Sequence, residues 1–451
     1  MLKKVLIANR GEIAVRVIRA CHELGIKTVA VYSQADQDAL HVSLATEAVC
    51  IGPARADASY LNKVAILSAA VATGADAIHP GFGFLSENSD FAKMCAEMNI
   101  KFIGPSPEVI DVMGNKANAR QTMIDAGVPV IPGCEGTIID VQDALFWANK
   151  IGYPVLLKAV AGGGGKGMRR VFGAEEMESV FNTASQEAQA AFGDGRLYME
   201  KIVRPAHHIE FQILADQHGN VIHVGERDCS LQRNHQKVLE ESPSPYLDET
   251  LRLEMGKAAV RAAKGVGYEN AGTIEFLVDE AKQFYFMEMN TRIQVEHPVS
   301  EMVSGLDLVE WQLRIAGGEV LTILQEDVQL SGHAIECRIN AENPKKNFMP
   351  SSGTVEFVHF PGGRDVRVES AVYSGYMIPP YYDAMIAKII VKADNRELAI
   401  EKMKVALSEL YIDGIDTNIE FEEALLRDEA FVSGKFDTDY LQQHFLPKYQ
   451  Q

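Results

Sequence analysis

The chain has 451 residues, 47% of them hydrophobic and 23% charged, which are globular proportions over a length that one core does not serve, so two or three domains are expected. No apolar run approaches the roughly 20 residues that span a bilayer, and the opening Met1–Arg10 is too short in its apolar part, with no small-residue cleavage site, to read as a signal peptide. A formal net charge of −19 argues against nucleic acid as the main partner, since a phosphate backbone needs a basic face; cations that hold anionic substrates must then be gathered locally.

In chain order, Val5–Ala8 is a short apolar run, and Glu12–Leu24 carries Ile13, Val17, Ala20 and Leu24 at helical spacing. Gly25 stops that helix, and Thr28–Tyr32 is a second β-prone run. The pattern repeats to Ala75–His79 and again to Lys101–Gly104, a βαβ series that predicts a parallel sheet. The first turn, Asn9-Arg10-Gly11-Glu12, lacks GxGxxG, so a dinucleotide site is not supported. A helix over Asn62–Thr73 and the loop His79–Asn88 complete this unit near residue 113. A second segment, roughly 130–204, opens on Pro129, Pro132 and Gly133 and gives a helix near Val141–Ile151, a strand Val155–Ala159, a glycine run and a strand Arg169–Phe172. The remainder is strand-rich at first and carries an amphipathic helix over Arg396–Tyr411. There is no internal repeat, low-complexity tract or long linker, so the domains are expected to pack closely. The cysteines Cys21, Cys50, Cys95, Cys134, Cys229 and Cys337 form no CxxC pair and read as small buried hydrophobes in a reducing compartment, with Cys229 structural within a charged motif.

Four stretches carry chemistry. In Ala161–Met168, glycines let backbone N–H groups approach phosphate oxygens; Gly165-Lys166 is followed by Gly167, so this is not a Walker A loop, and strand–glycines–strand describes a hairpin flap. Alone, the glycines fit a flexible turn equally well. Lys158, in the apolar strand beside them, is either an edge-strand gatekeeper or a phosphate ligand, and the adjoining loop favours the ligand. Thr273–Val278 and Phe284–Asn290 form a predicted hairpin; with Val278 opposite Tyr285, Glu275 faces Glu288 and Asn290 lies on the same face, a set suited to magnesium. Next, Arg292, Gln294 and Glu296 alternate and in an extended chain project from one side, able to grip a small oxyanion and remove its proton. Lastly, Glu226–Lys237 is by default a solvated loop, although Arg233, His235 and Lys237 supply the cations that anionic substrates need.

Taken together, these motifs resemble the biotin carboxylase family of the ATP-grasp superfamily. The resemblance runs through Ile7–Ala14, His79–Asn88, the glycine flap, Arg227–Ser230, His235-Gln236-Lys237 and Glu288–His297; Phe82 stands where the family usually has tyrosine and Asn234 where a second basic residue is common. It implies an α/β (α+β overall) ATP-grasp fold with a Rossmann-like N-terminal domain (1–113), a linker and glycine-flap lid (114–204) and a larger C-terminal domain (205–446). It also implies that Lys116, Lys158 and the flap at Gly163, Gly164 and Gly165 hold ATP phosphates. Glu200 and Lys201 flank the adenine, and His208, Gln232 and His235 line the nucleotide site. Glu275, Glu288 and Asn290 serve magnesium or manganese; Lys237, Arg292, Gln294 and Val295 hold bicarbonate. Glu296 is the base and Arg338 stabilises the biotin enolate, with Arg292 and Lys237 counted with them as catalytic.

The resemblance further implies a cytoplasmic homodimer working with a biotin carboxyl carrier protein and carboxyltransferase subunits. No Ala-Met-Lys-Met biotin attachment site occurs, and Glu401-Lys402-Met403-Lys404 does not qualify, so biotin is expected on another polypeptide. Acetyl-CoA carboxylase is the expected assembly, a split pyruvate carboxylase or another acyl-CoA carboxylase the alternative. The rival readings are a carbamoyl-phosphate synthetase relative and a non-catalytic nucleotide-binding regulator.

Overall fold

The structure, a computed structural model, describes residues 2–160 and 168–450. Its N-terminal part is a five-stranded parallel sheet in the order Glu47–Gly52, Lys27–Ser33, Lys4–Ile7, Ala77–His79, Lys101–Phe102. The central strand is an unbroken apolar run because both its faces are covered: Val5 and Ile7 pack with the helix Gly11–Glu23, and Leu6 packs with the helices Lys63–Thr73 and Ser89–Glu97. Strand order reverses beside Lys4–Ile7, so the loops after it and after Ala77–His79 face each other at the carboxyl edge, where open α/β sheets place ligands. Asn9 ties them together, its Nδ2 donating to the carbonyls of Pro80 (2.8 Å) and Phe82 (2.7 Å). Gly81 is required there, with φ +63° and room for a Cβ only 2.9 Å from Asn9 Nδ2.

The lid is a three-stranded antiparallel sheet, Met168–Val171, Val155–Ala159, Leu197–Lys201, with helices Val141–Ile151 and Met177–Phe192 around its own core. Val155, Leu157 and Ala159 face that core, so Leu156 and Lys158 face the other way. Val155–Ala159 is the central strand, which removes the edge-gatekeeper reading of Lys158. The strands on either side of the glycines do pair, Lys158 opposite Met168; the second ends at Val171, one residue before the predicted Phe172. Gly163, Gly164 and Gly165 lie outside the described residues.

The largest element is an eight-stranded antiparallel sheet in the order Phe284–Asn290, Asn270–Asp279, Ala206–Ala215, Val221–Arg233, Gln236–Ser242, His333–Asn340, Met385–Ala393, Val366–Ser370. Ile209, Phe211 and Ile213 pack on the helix Glu249–Gly265, while Leu239, Ile335, Cys337 and Ile389 pack on the helix Arg396–Glu409. Strand alternation leaves the other face to His208, Glu210, Gln212, Glu240, Glu336, Arg338 and Lys388, a row of polar groups across the molecule.

Three expectations are corrected, for the polar run, the last long helix and Cys50. The polar run Glu226–Lys237 is not a solvated loop: it continues two strands joined at Asn234-His235, whose φ values of +50° and +65° make a two-residue hairpin turn. Asparagine suits that geometry, which accounts for Asn234. The helix predicted to Tyr411 ends at Glu409, and Tyr411 opens the short strand Tyr411–Asp413. Among the cysteines, Cys50 is exposed and the other five are buried. Among the described residues no helix is long and apolar enough to cross a membrane.

Candidate active site

A cleft of about 1270 Å³ opens between the lid, the parallel-sheet loops and the polar face of the long sheet. Every predicted site residue among the described ones lines it: Lys116, Lys158, Glu200, Lys201, His208, Gln232, His235, Lys237, Glu275, Glu288, Asn290, Arg292, Gln294, Val295, Glu296 and Arg338. So do Asn9 and Arg10 from the first loop and Phe82 from the second.

At the lid end, Lys158 pairs with Glu200 across the sheet, and its Nζ lies 5.7 Å from the centre of the Tyr198 ring. Lys116 opens the helix Lys116–Asp125 behind the cap Asn115 and has no ion-pair partner among the described residues. Burial and then the charge of Lys158 hold the Lys116 ammonium below its ordinary range. Two cations kept close together, one of them without an ion-pair partner among the described residues, suit a polyanion. Lys201 is engaged elsewhere, donating to the carbonyls of Gly152 (2.8 Å) and Tyr153 (3.0 Å). Gln232 bonds His208 at 2.7 Å. Sequence reasoning missed the apolar walls Ile131, Leu156, Leu277 and Met287. Period two could have found two of them, since Leu156 precedes Lys158 and Leu277 follows Glu275 by two positions on a strand.

In the hairpin, Glu275 does face Glu288, but the assumed anchor pair is wrong: Val278 pairs with Phe284 and Leu277 with Tyr285. The register shifts between Glu275 and Phe276, where Met287 is bulged, and this restores the opposition of the two acids. Asn290 Nδ2 donates to Glu275 Oε1 at 2.8 Å, and His208 Nε2 lies 2.9 Å from Glu275 Oε2. Glu288, whose side chain is exposed to the open cleft, accepts no hydrogen bond among the described residues; desolvation by the surrounding walls and then the charge of Glu275 raise its carboxyl above the usual range. Burial also pushes Glu275 up, but Lys237 and His208 outweigh it and hold Glu275 below the usual range. Two opposed acids, one without a partner, beside an amide oxygen fit a divalent cation with oxygen ligands.

Residues 291–296 do not form the expected extended strand. The chain turns there, and Glu296 immediately precedes the helix His297–Ser304. The three side chains converge nonetheless, because each is held separately. Arg292 donates to Asn290 (2.7 Å) and to Glu87 (2.9 Å), which also accepts the Thr291 N–H. Gln294 donates to Glu275 (2.7 Å) and accepts from Arg227 (2.6 Å). Glu296 accepts from Lys237 Nζ (2.6 Å) on one oxygen and from Arg338 Nη2 (2.9 Å) on the other. Lys237 also reaches Glu210 (2.5 Å) and Glu275 (3.1 Å). The buried Lys388 donates to the Val295 carbonyl at 2.7 Å. Burial alone pushes Glu296 up, yet Lys237, Arg338 and Arg227 prevail and hold its carboxyl well below the ordinary range. Beneath them the fully buried thiol of Cys229 is pushed well up, first by burial and next by Glu210, so it is un-ionised and inert.

Comparison with known proteins agrees with this geometry. Residues 1–110 match the family described as biotin carboxylase, N-terminal domain, residues 115–324 carbamoyl-phosphate synthase L chain, ATP binding domain, and residues 336–443 biotin carboxylase C-terminal domain. Biotin carboxylase 1 of Bacillus subtilis is 59% identical over 443 residues, 98% of each chain. A crystal structure of a biotin carboxylase–β,γ-ATP complex from Campylobacter jejuni superposes with a TM-score of 0.95 at 52% identity, covering 98% of this chain and 99% of that one. The biotin carboxylase domain dimer of the Hydrogenobacter thermophilus 2-oxoglutarate carboxylase, in complex with MgADP, ADP and bicarbonate, gives 0.95 at 52% identity over 100% and 99% of the two chains. Likeness over the whole length, through both flanking domains, separates the chain from a carbamoyl-phosphate synthetase relative that shares the central one: it belongs to the biotin carboxylase family, ATP-dependent enzymes that carboxylate biotin.

Proposed function

We propose that the chain carboxylates biotin borne on a separate carrier protein, using ATP and bicarbonate, as the first half-reaction of acetyl-CoA carboxylase. We take it to work in the cytoplasm as a homodimer with domains 1–113, 114–204 and 205–446. The observation that carries the reading is Glu296, held between Lys237 and Arg338 at the junction of the cation-lined lid and the acid pair. Lys116 and Lys158 receive the ATP phosphates, and Ile131, Leu156, Leu277 and Met287 wall the base. Glu275, Glu288 and Asn290 would hold magnesium, which when bound neutralises phosphate charge. Bicarbonate enters between Lys237, Arg292, Gln294 and the Val295 backbone. It takes over bonds that hold Glu296, whose carboxylate thereby regains the basicity to accept the bicarbonate proton. The freed oxygen attacks the γ-phosphorus, the bond to ADP breaks, and carboxyphosphate forms. Its C–O bond then breaks to give carbon dioxide and phosphate; the phosphate takes the ureido proton of biotin, and the enolate, facing Arg338, attacks carbon dioxide through nitrogen. Lid closure over the cleft keeps water from carboxyphosphate.

The test is ATP hydrolysis by the purified chain with magnesium and bicarbonate, with and without free biotin. Turnover should need bicarbonate, rise with biotin, and drop by at least about a hundredfold in Glu296→Ala. Hydrolysis indifferent to both biotin and Glu296 would refute the assignment.

A further inference from the structure

We infer that Glu240, backed by Glu336, is a positioning residue that orients the Arg338 guanidinium and sets how much of its charge is left for the substrate; this rests on the reading of Arg338 as the group facing biotin. Glu240 and Glu336 stand directly opposite each other on the adjacent antiparallel strands Gln236–Ser242 and His333–Asn340, and both are fully buried. Arg338 is two residues beyond Glu336, on the same face. Its Nε donates to Glu240 Oε1 at 2.6 Å, and its Nη2 touches Glu240 and also donates to Glu296 Oε2 at 2.9 Å. One guanidinium therefore spans the proposed base and a second carboxyl that the reaction steps do not use.

Among the described residues, the second oxygen of Glu240 and both oxygens of Glu336 have no hydrogen-bond partner. The charged groups on the face of this pair are Arg338, Lys237 and Lys388 as cations and Glu296 as an acid, with the thiol of Cys229 nearby; Glu422, from the helix Ile419–Leu426, and the Cys337 thiol act from the opposite face of the sheet. Two opposed carboxyls with three unpartnered oxygens in full burial do not both ionise. Burial, opposed by the charge of Arg338, pushes Glu240 up to about 7, and burial pushes Glu336 well above the ordinary range. A neutral Glu240 still accepts the Arg338 N–H through one oxygen, so it fixes the guanidinium without cancelling its charge. An ionised Glu240 competes with Glu296 and with the substrate for the same cation.

Glu240→Gln keeps the acceptor and removes the titration, whereas Glu240→Ala removes both and lets Arg338 collapse onto Glu296. Biotin-stimulated ATP hydrolysis is compared with bicarbonate-dependent hydrolysis lacking biotin, across neutral pH. In Glu240→Ala, kcat/KM for biotin should fall at least about tenfold while KM for ATP holds. In Glu240→Gln it should stay within about twofold of the parent, and its pH dependence relative to that of kcat/KM for ATP should flatten around neutrality. An alanine variant with parental kcat/KM for biotin, a glutamine variant as damaged as alanine, or equal losses for ATP and biotin would each overturn the inference. Difference infrared spectroscopy of the parent gives a check independent of turnover: a protonated-carboxyl band that titrates near neutrality and vanishes in Glu240→Gln is expected, and no such band contradicts it. A parent chain without any biotin stimulation would refute the proposed function instead, with the infrared result judged separately.

Discussion

Arg227 donates to Glu210, Gln212, Thr273, Gln294 and Ser300 from a strand beneath the turn at residues 291–296, and it is wholly buried. A planar guanidinium can satisfy that many partners at once; an ammonium cannot. Glu210 is buried beside it and shared with Lys237, so removing Arg227 leaves carboxylate charge in the interior. Arg227→Met should destabilise the fold by about 3–5 kcal/mol in chemical denaturation, and Arg227→Lys should fold but lose bicarbonate-dependent turnover. A methionine variant of parental stability and activity would contradict this. The sequence showed Arg227 inside a family-like motif without revealing its work, because its partners come from strands far apart in the chain. Glu210, Glu240 and Lys388 escaped for the same reason: each is a charged residue within a β-prone run, and only the sheet order puts it under the site.

At the scale of elements, the Glu275–Glu288 opposition was legible from the hairpin, although the register needed a bulge that no residue pattern announces. The Arg292–Glu296 stretch shows the converse. Alternation suggested a strand, but Pro298 at the start of the next helix and the bonds from Glu87 and Lys388 turn the chain, so convergence comes from tethering. The parallel sheet carries its own pH limit. His41 Nε2 faces the Val31 carbonyl, and His79 Nδ1 accepts the Gly81 N–H while Nε2 faces Gln312. Burial lowers both from 6.5 to about 4, so each is neutral in the fold. Because the folded value is depressed, the unfolded chain binds protons first as pH falls. The stability is therefore intact above pH 6.5 and is lost toward pH 4, by about 3 kcal/mol for each histidine. Thermal midpoints measured between those limits should fall steadily with acid, and less steeply in His79→Gln; a flat course in the parent would contradict the assignment.

For the whole molecule, a net charge of −19 and anionic substrates are reconciled by concentrating Lys116, Lys158, Lys237, Arg292 and Arg338 in one cleft where three parts of the chain meet. Alternating strand and helix patterns disclosed the parallel sheet, and the linear motifs disclosed the residues that reach into the cleft. The eight-stranded sheet was not legible as a whole, since strands far apart in the chain join its consecutive hairpins and its polar face mimics solvated surface. In the proposed reaction these parts together move carbon from bicarbonate to biotin on another protein. Its most direct test is incubation of the chain with ATP, magnesium, isotopically labelled bicarbonate and a separately purified biotinylated carrier protein, followed by assay of the carrier. Acid-labile label on the biotin, dependent on ATP and absent with Glu296→Ala, is the predicted result; an unlabelled carrier while ATP is hydrolysed would contradict the account.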